Sequence, residues 1–247
     1  MMVNQSSEIS VAGGPIGLAR DVFGTLKRAY RLTFVGLLVT LAPFAATSMA
    51  DDQQSKPLTV MALGDSLTAG YGLPTGDGFV PQLEAWLAEN APSPVRVVNA
   101  GVSGDTTSGG RSRLAWSLGG AGGKPDLVLL ELGANDGLRG IDPARTRENL
   151  DAIIADLKAR DIPVLIAGMM APPNLGPDYA ADFNPIFPDL ATKHGAALYP
   201  FFLDGVAADP ALNQDDGIHP TKEGVAIIVE KLGPVVLAAL TAKTIPD

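Results

Sequence analysis

The sequence predicts an α/β protein in which an open parallel sheet is wrapped on both faces by helices. Two observations carry this expectation. Beyond residue 56, five short apolar runs alternate with segments of helical period, and strand–helix alternation is the mark of parallel crossover connections. The runs are also near-continuously apolar rather than alternating, as strands buried on both faces are.

The elements follow in order. Leu58–Leu63 (LTVMAL) and Val95–Asn99 (VRVVN) are the first two strand-like runs, with a helical stretch between them at Phe79–Glu89. That stretch places Phe79, Leu83, Trp86 and Leu87 on one face. Asp126–Leu132 (DLVLLEL) is the third run, followed by a helix over Pro143–Arg160. Asp142 is its N-cap, Pro143 its first helical residue, and Leu150, Ile153, Ile154 and Leu157 its apolar stripe. Pro163–Gly168 (PVLIAG) and Ala197–Phe201 (ALYPF) are the last two runs. The helical stretch between them, Tyr179–His194, holds Pro185 and Pro188, which predict a break or kink. Thr221–Leu240 ends the pattern as a helix that Pro234 should bend or split. No repeat, low-complexity run or linker divides the stretch, so residues 51–247 read as a single domain.

In sheets of this kind ligands bind beyond the carboxyl ends of the strands. Four polar, glycine-rich segments fall there: Gly64-Asp65-Ser66-Leu67, Gly101-Val102-Ser103-Gly104-Asp105, Gly133-Ala134-Asn135-Asp136-Gly137, and Asp215-Asp216-Gly217-Ile218-His219-Pro220. Together they hold what acyl transfer requires: a nucleophile, a base, a group that orients the base, and donors for an oxyanion. Ser66 stands at a strand-to-loop transition. His219 precedes a helix, and Asp216 lies three residues upstream, close enough to reach one imidazole nitrogen while the other faces Ser66. Taken alone, the Asp216–His219 spacing also fits an Asx turn. His194, the other histidine of the chain, falls in an amphipathic stretch beside Gly195 and reads as a surface or helix-end residue. The N–H groups of Ser66 and Gly104 and the side-chain amide of Asn135 are three candidate oxyanion donors. Read singly, Gly104 is a turn glycine and Asn135 a loop cap; their arrival at one sheet edge with Ser66 and His219 favours the site. The serine departs from the G-x-S-x-G elbow, because Thr68 stands at the second glycine. No phosphate-binding glycine fingerprint is present, and one usable histidine with scattered carboxylates does not make a metal-ligand set.

The first fifty residues read differently. Lys27, Arg28 and Arg31 precede an apolar stretch from Leu32 to Ala46, and Ser48 and Ala50 then stand at the −3 and −1 positions of a cut before Asp51. This order describes a secretory signal peptide with cleavage after Ala50. An uncleaved anchor is the competing reading, disfavoured because the stretch is short and broken by Pro43. The protein is thus expected to be exported, periplasmic or secreted, with no stable membrane insertion of the mature form. The net charge is −9. Four of the 18 basic and two of the 27 acidic residues lie in residues 1–50, which leaves the remainder at −11. Such a surface offers no footprint for nucleic acid or anionic bilayers. The chain has no cysteine, which excludes disulfides, thiolate sites and a cysteine nucleophile.

The four segments resemble the sequence blocks of the SGNH (also called GDSL) hydrolases. The GDSL block is Gly64–Leu67, the second-block glycine is Gly104, the third-block asparagine is Asn135, and the final D-x-x-H is Asp216–His219, in order across roughly residues 59–228. Within that family the chain most resembles the bacterial periplasmic thioesterase–lysophospholipase–arylesterase group, through GANDGLRG (Gly133–Gly140), GMMAPPNLGPDY (Gly168–Tyr179) and DGIHPT (Asp216–Thr221). The resemblance implies a three-layer α/β/α flavodoxin-like fold with a central five-stranded parallel sheet, no cofactor, and broad hydrolysis of acyl esters and thioesters. It implies Ser66, His219 and Asp216 as the catalytic triad and Ser66, Gly104 and Asn135 as the oxyanion hole. The expected partner is a small acyl ester or thioester, and the expected state a monomer. Leu138, Met170, Pro173 and Tyr179, in apolar surroundings, are candidate acyl contacts. Two other readings compete: a carbohydrate-ester deacetylase of the same family, and a catalytically silent binding module that keeps the fold.

Overall fold

The computed structural model describes residues 56–242; the expected leader and its cleavage after Ala50 lie outside these residues. Five strands form one sheet, all parallel: β1 (Leu58–Gly64), β2 (Val95–Gly101), β3 (Leu127–Glu131), β4 (Val164–Ala167) and β5 (Ala197–Tyr199). Their spatial order is β2-β1-β3-β4-β5, the flavodoxin-like order. The chain leaves β1 to one side to build β2, then returns across it to β3. The crossovers therefore diverge between β1 and β3 and open a crevice at the carboxyl ends of these two strands. Val60, Met61, Ala62, Leu63 and the whole of β3 are buried, as their apolar runs require. β2 departs from the expectation of two buried faces: Arg96 and Asn99 are exposed, because β2 is an edge strand.

Helices cover both faces. α1 (Ser66–Ala69) is a single turn after β1, and α2 (Phe79–Asn90) buries Phe79, Val80, Leu83 and Leu87. α3 (Thr107–Gly120) follows β2, and α4 (Ala134–Leu138) and α5 (Pro143–Ala159) follow β3. α6 (Gly176–Phe183) and α7 (Ile186–His194) lie between β4 and β5, and α8 (Lys222–Ala242) closes the described chain. α2 packs with α8 on one face, while α5 packs with α3 and α7 on the other, which completes the three layers.

Local sequence explains most of these elements. Asp142 caps α5 through the Ala144 N–H, with Pro143 in its first turn and the expected stripe buried. The break between α6 and α7 falls at Asn184–Pro185, as the prolines predict, whereas Pro188 sits in the first turn of α7, where a missing N–H costs nothing. α8 is not split at Pro234. Leu232 and Val236 on either side of the proline are buried, and this packing outweighs one lost backbone bond. Although α8 is apolar and long enough to cross a membrane, its Val225, Ile228, Val229, Leu232, Val236 and Leu240 are buried in the protein core.

α3 had no signal in the apolar pattern, since four glycines in its sequence oppose helix formation. Tertiary contacts hold it instead. Arg113 donates to Asp105, to the carbonyls of Ala100 and Gly64, and to the Ser117 hydroxyl. A Cβ on Gly110 would stand 2.2 Å from a Leu132 methyl, so the glycine is what lets α3 approach the end of β3. Gly101 plays the same part at the edge of the sheet, where a Cβ would meet the backbone N of Ala69 at 2.4 Å. α1 therefore lies flat against the end of β2.

Candidate active site

The sharp turn that ends β1 places Ser66 at the crevice. Asp65 is the N-cap of α1, its carboxylate accepting the Leu67 N–H at 3.0 Å. Ser66, the first residue of the helical turn, is buried, with 9% of its surface exposed. Its Oγ lies 2.9 Å from His219 Nε2. On the other side of the ring, His219 Nδ1 lies 2.6 Å from Asp216 Oδ2. A carboxylate can only accept, so Nδ1 carries the proton and Nε2 is left as the acceptor for the Ser66 hydroxyl. The Tyr71 ring lies with its centroid 4.5 Å from that of the imidazole and limits its rotation.

The Asp216–His219 turn fixes its own geometry. Asp216 Oδ1 accepts the backbone N–H groups of His219 and Ile218, each at 3.0 Å, and leaves Oδ2 for the imidazole. The His219 and Ile218 N–H groups and the ring together pull the Asp216 carboxyl down to about 2. Asp216 is thus ionised at any pH near neutrality.

Asn135 lies in α4, beyond β3, and lines the same cavity as Ser66 and His219. Its Nδ2 donates one proton to Asp65 Oδ2 at 3.0 Å. The amide has a second N–H, available to a substrate oxygen. Gly104 lies at the same sheet edge with φ +80, in the left-handed region that favours glycine. Its carbonyl accepts Arg139 Nη2 at 2.6 Å. Gly104 is not among the residues that line the cavity, but its N–H and that of Ser66 have no partner among the described residues.

The cavity holds about 420 Å³. Leu138, Met170 and Pro173 line it. Leu138 and Met170 are 51% and 58% exposed, so each walls a mouth rather than a closed chamber. Tyr179 is a correction: it does not line the cavity. Its hydroxyl donates to the Ile141 carbonyl at 2.7 Å and its ring stacks on Phe183, so it packs the loop from behind. Phe201, Leu203, Ala207, Ala208 and Ile218 also line the cavity; of these, Leu203, Ala207 and Ala208 fall in a segment without strand or helical period. His194 sits at the other end of the sheet, before β5, with Nε2 2.6 Å from Asp151 of α5.

Two buried acids were also missed. Asp65 and Glu131 are both fully buried. Burial pushes the Asp65 carboxyl up to about 6, against the opposing pull of the Leu67 N–H and the Asn135 amide. Burial likewise holds Glu131 well above the usual carboxylate range, with Asp65 adding to the effect. Sequence did hold one signal for Glu131: it is a lone charge at the end of an otherwise apolar strand, where an acid is costly to bury.

The GDSL-like Lipase/Acylhydrolase family matches residues 62–227. Esterase TesA of Pseudomonas aeruginosa is 41% identical over 182 residues, 74% of this chain and 89% of its own. Thioesterase 1/protease 1/lysophospholipase L1 of Escherichia coli K12 is 39% identical over 172 residues, 70% of this chain and 80% of its own. The crystal structure of AlinE4, an SGNH-hydrolase family esterase, superposes with a TM-score of 0.64 at 44% identity, covering 78% of this chain and 99% of that one.

The raised Asp65 carboxyl generates a pH prediction. Between the ordinary value of 3.8 and about 6 the folded state binds more protons than the unfolded one. The contribution of Asp65 to stability is therefore greatest below 3.8 and is lost as pH rises through about 6. Thermal unfolding should show the wild type losing stability relative to Asp65→Asn across that interval. A difference that is flat or grows with pH would remove the assignment.

Proposed function

The chain belongs to the GDSL-like lipase/acylhydrolase family, and on that footing we propose that it hydrolyses acyl esters and thioesters through an acyl-enzyme on Ser66. The observation that carries the proposal is the continuous Ser66–His219–Asp216 relay, with distances of 2.9 and 2.6 Å, opening on an apolar cavity.

Ser66 Oγ attacks the acyl carbonyl while His219 Nε2 takes the hydroxyl proton. Asp216 holds the ring with Nδ1–H toward itself and stabilises the imidazolium that forms. The carbonyl oxygen, now an oxyanion, is received by the N–H groups of Ser66 and Gly104 and by the second Asn135 amide proton. The tetrahedral centre collapses, the bond to the alcohol or thiol breaks, and His219 returns the proton to the leaving group. A water molecule, deprotonated by His219, attacks the acyl-enzyme and releases the carboxylic acid, which restores Ser66.

Substrates are aryl esters, acyl-thioesters and lysophospholipids, recognised through their acyl chains. The cavity wall offers Leu138, Met170, Pro173 and Phe201 to carbon, with no lysine or arginine among the lining residues. This favours an acyl chain over a sugar, which would need several polar partners. The relay, the donors and the cavity all come from one chain, so a monomer suffices. Residues 1–50 act as a signal peptide, and the mature enzyme works in the periplasm or outside the cell; the basic, apolar, small-residue order of the leader supports this.

Three outcomes test the proposal. First, a fluorophosphonate probe should label Ser66. Ser66→Ala and His219→Ala should each abolish most turnover, with the double variant little worse, and Asn135→Ala should lower kcat by about 10²–10³ with a far smaller effect on KM. Unchanged turnover in any of the three would sink that residue's role. Second, kcat/KM should rise with acyl length from acetyl upward, by up to about 0.8 kcal/mol per methylene buried, and then level off. Leu138→Ser should flatten that rise while sparing short aryl esters; strict acetyl preference, indifferent to Leu138, would support a carbohydrate deacetylase instead. Third, N-terminal sequencing of the exported protein should begin at Asp51, and retention of residues 32–46 in a membrane would refute cleavage.

A further inference from the structure

Beneath the relay lies a carboxyl group that this reaction does not use. Glu131 ends β3, and the sheet register pairs it with Gly64, the residue before the nucleophile turn. Its Oε2 accepts the Thr68 hydroxyl at 2.7 Å and, more distantly, the Asp65 N–H at 3.4 Å. Its Oε1 is buried with no partner among the described residues. Asp65 precedes Ser66 and Thr68 follows it by two residues, so one carboxyl grips the turn on both sides of the nucleophile. Asp65 in turn holds the Leu67 N–H and the Asn135 amide. A continuous set of hydrogen bonds, buried except for the part-buried one to Asn135, thus joins the end of β3 to the residues flanking Ser66 and to the Asn135 amide. The fit is tight: a Cβ on Gly64 would stand 2.0 Å from Thr68 Oγ1 and 2.5 Å from Glu131 Oε2.

We propose that Glu131 is a positioning residue for ester hydrolysis, acting through Thr68 and Asp65 to set the Ser66 hydroxyl against the Asn135 amide. The inference rests on the reading of Ser66 as the nucleophile. Its chemistry follows from burial. Two neighbouring acids out of water do not both ionise readily, because each charge opposes the other and neither is hydrated. Asp65 has the Leu67 N–H and the Asn135 amide to stabilise its charge, while Glu131 has Thr68 and the weaker Asp65 N–H. Asp65 therefore gives up its proton more readily than Glu131. The other charged or titratable groups near the pair are His219 and Asp105, beyond Asp65, and Arg113 of α3, which is bound to Asp105 and to the Gly64 carbonyl. None of them donates a hydrogen bond to Glu131. Glu131 supplies an acceptor for the turn, and its burial beside Asp65 favours the form that adds no second charge below it. A leucine there would fill the space and leave the Thr68 hydroxyl unbonded.

The test compares variants of the mature enzyme on a short aryl ester, with kcat and KM followed from about pH 6 to 9 and thermal unfolding measured beside them. Glu131→Gln, which keeps shape and acceptor without a charge, should hold kcat within about threefold of wild type, with the same pH profile. Glu131→Leu should lower kcat by at least about tenfold while KM stays within about twofold, as expected of displaced rather than missing catalytic groups. Thr68→Val carries the same expectation, and stands alone if Glu131→Leu does not fold. The double variant Glu131→Leu/Thr68→Val sets carbon against carbon. It should recover thermal stability while kcat stays low, which a purely structural bond would not produce. Wild-type kcat in Glu131→Leu or in Thr68→Val would overturn the proposal. So would recovery of both stability and kcat in the double variant, or a Glu131→Gln enzyme as slow as Glu131→Leu. Activity surviving in Ser66→Ala would fail earlier, at the nucleophile itself, and is told apart by that control.

Discussion

Asp65 is a fully buried carboxylate, and a charge removed from water must have its oxygens satisfied by neighbours. One oxygen takes the Leu67 N–H and the other takes the Asn135 amide. The first bond closes the turn after β1 on itself, and the second ties that turn to α4 beyond β3, across the point where the crossovers diverge. If the first is lost, α1 has no N-cap and Ser66 no fixed direction. If the second is lost, the Asn135 amide can rotate away from the serine. The rest of the site is arranged around this constraint: Glu131 supports the turn from below, α1 lies flat against Gly101, and Arg113 binds the Gly64 carbonyl that precedes the turn.

The relay is built on a different principle. Asp216 and His219 sit in one short turn whose own backbone N–H groups hold the carboxylate, so their mutual geometry depends little on the remainder of the fold. What depends on the fold is the approach of that turn to Ser66, 153 residues earlier in the chain. α8 begins just after the turn and is anchored by a buried apolar face, which delivers His219 to the sheet edge. A hydrophobic core helix thus decides where the His219 imidazole stands.

Charge and cavity divide the tasks of recognition. The chain is strongly acidic outside its first fifty residues, whereas the cavity beside Ser66 is walled by leucine, methionine, proline and phenylalanine. Apolar contact is roughly proportional to the area removed from water and carries no direction. Such a wall suits acyl chains of varied length.

By itself the sequence determined the strands, their parallel direction and most of the helices; the order of the strands across the sheet came from the fold. The sequence also placed Ser66, Gly104, Asn135, Asp216 and His219 at one sheet edge, because apolar period and loop composition are local properties that require no knowledge of partners. Leu138, Met170 and Pro173 were legible for the same reason, as apolar residues next to those loops. Only tertiary structure decided the remainder. α3 forms against the propensity of its own glycines because Arg113 and close contact with Leu132 hold it. Pro234 leaves α8 unbroken because the flanking residues are buried. Tyr179 turns away from the cavity because its hydroxyl meets the Ile141 carbonyl. Leu203, Ala207 and Ala208 come from a segment without regular period, so nothing local marked that they would line the cavity. Asp65 and Glu131 acquire their properties from burial beside each other, 66 residues apart in the chain. Desolvation and charge coupling act through space, and a sequence records neither until the chain has folded.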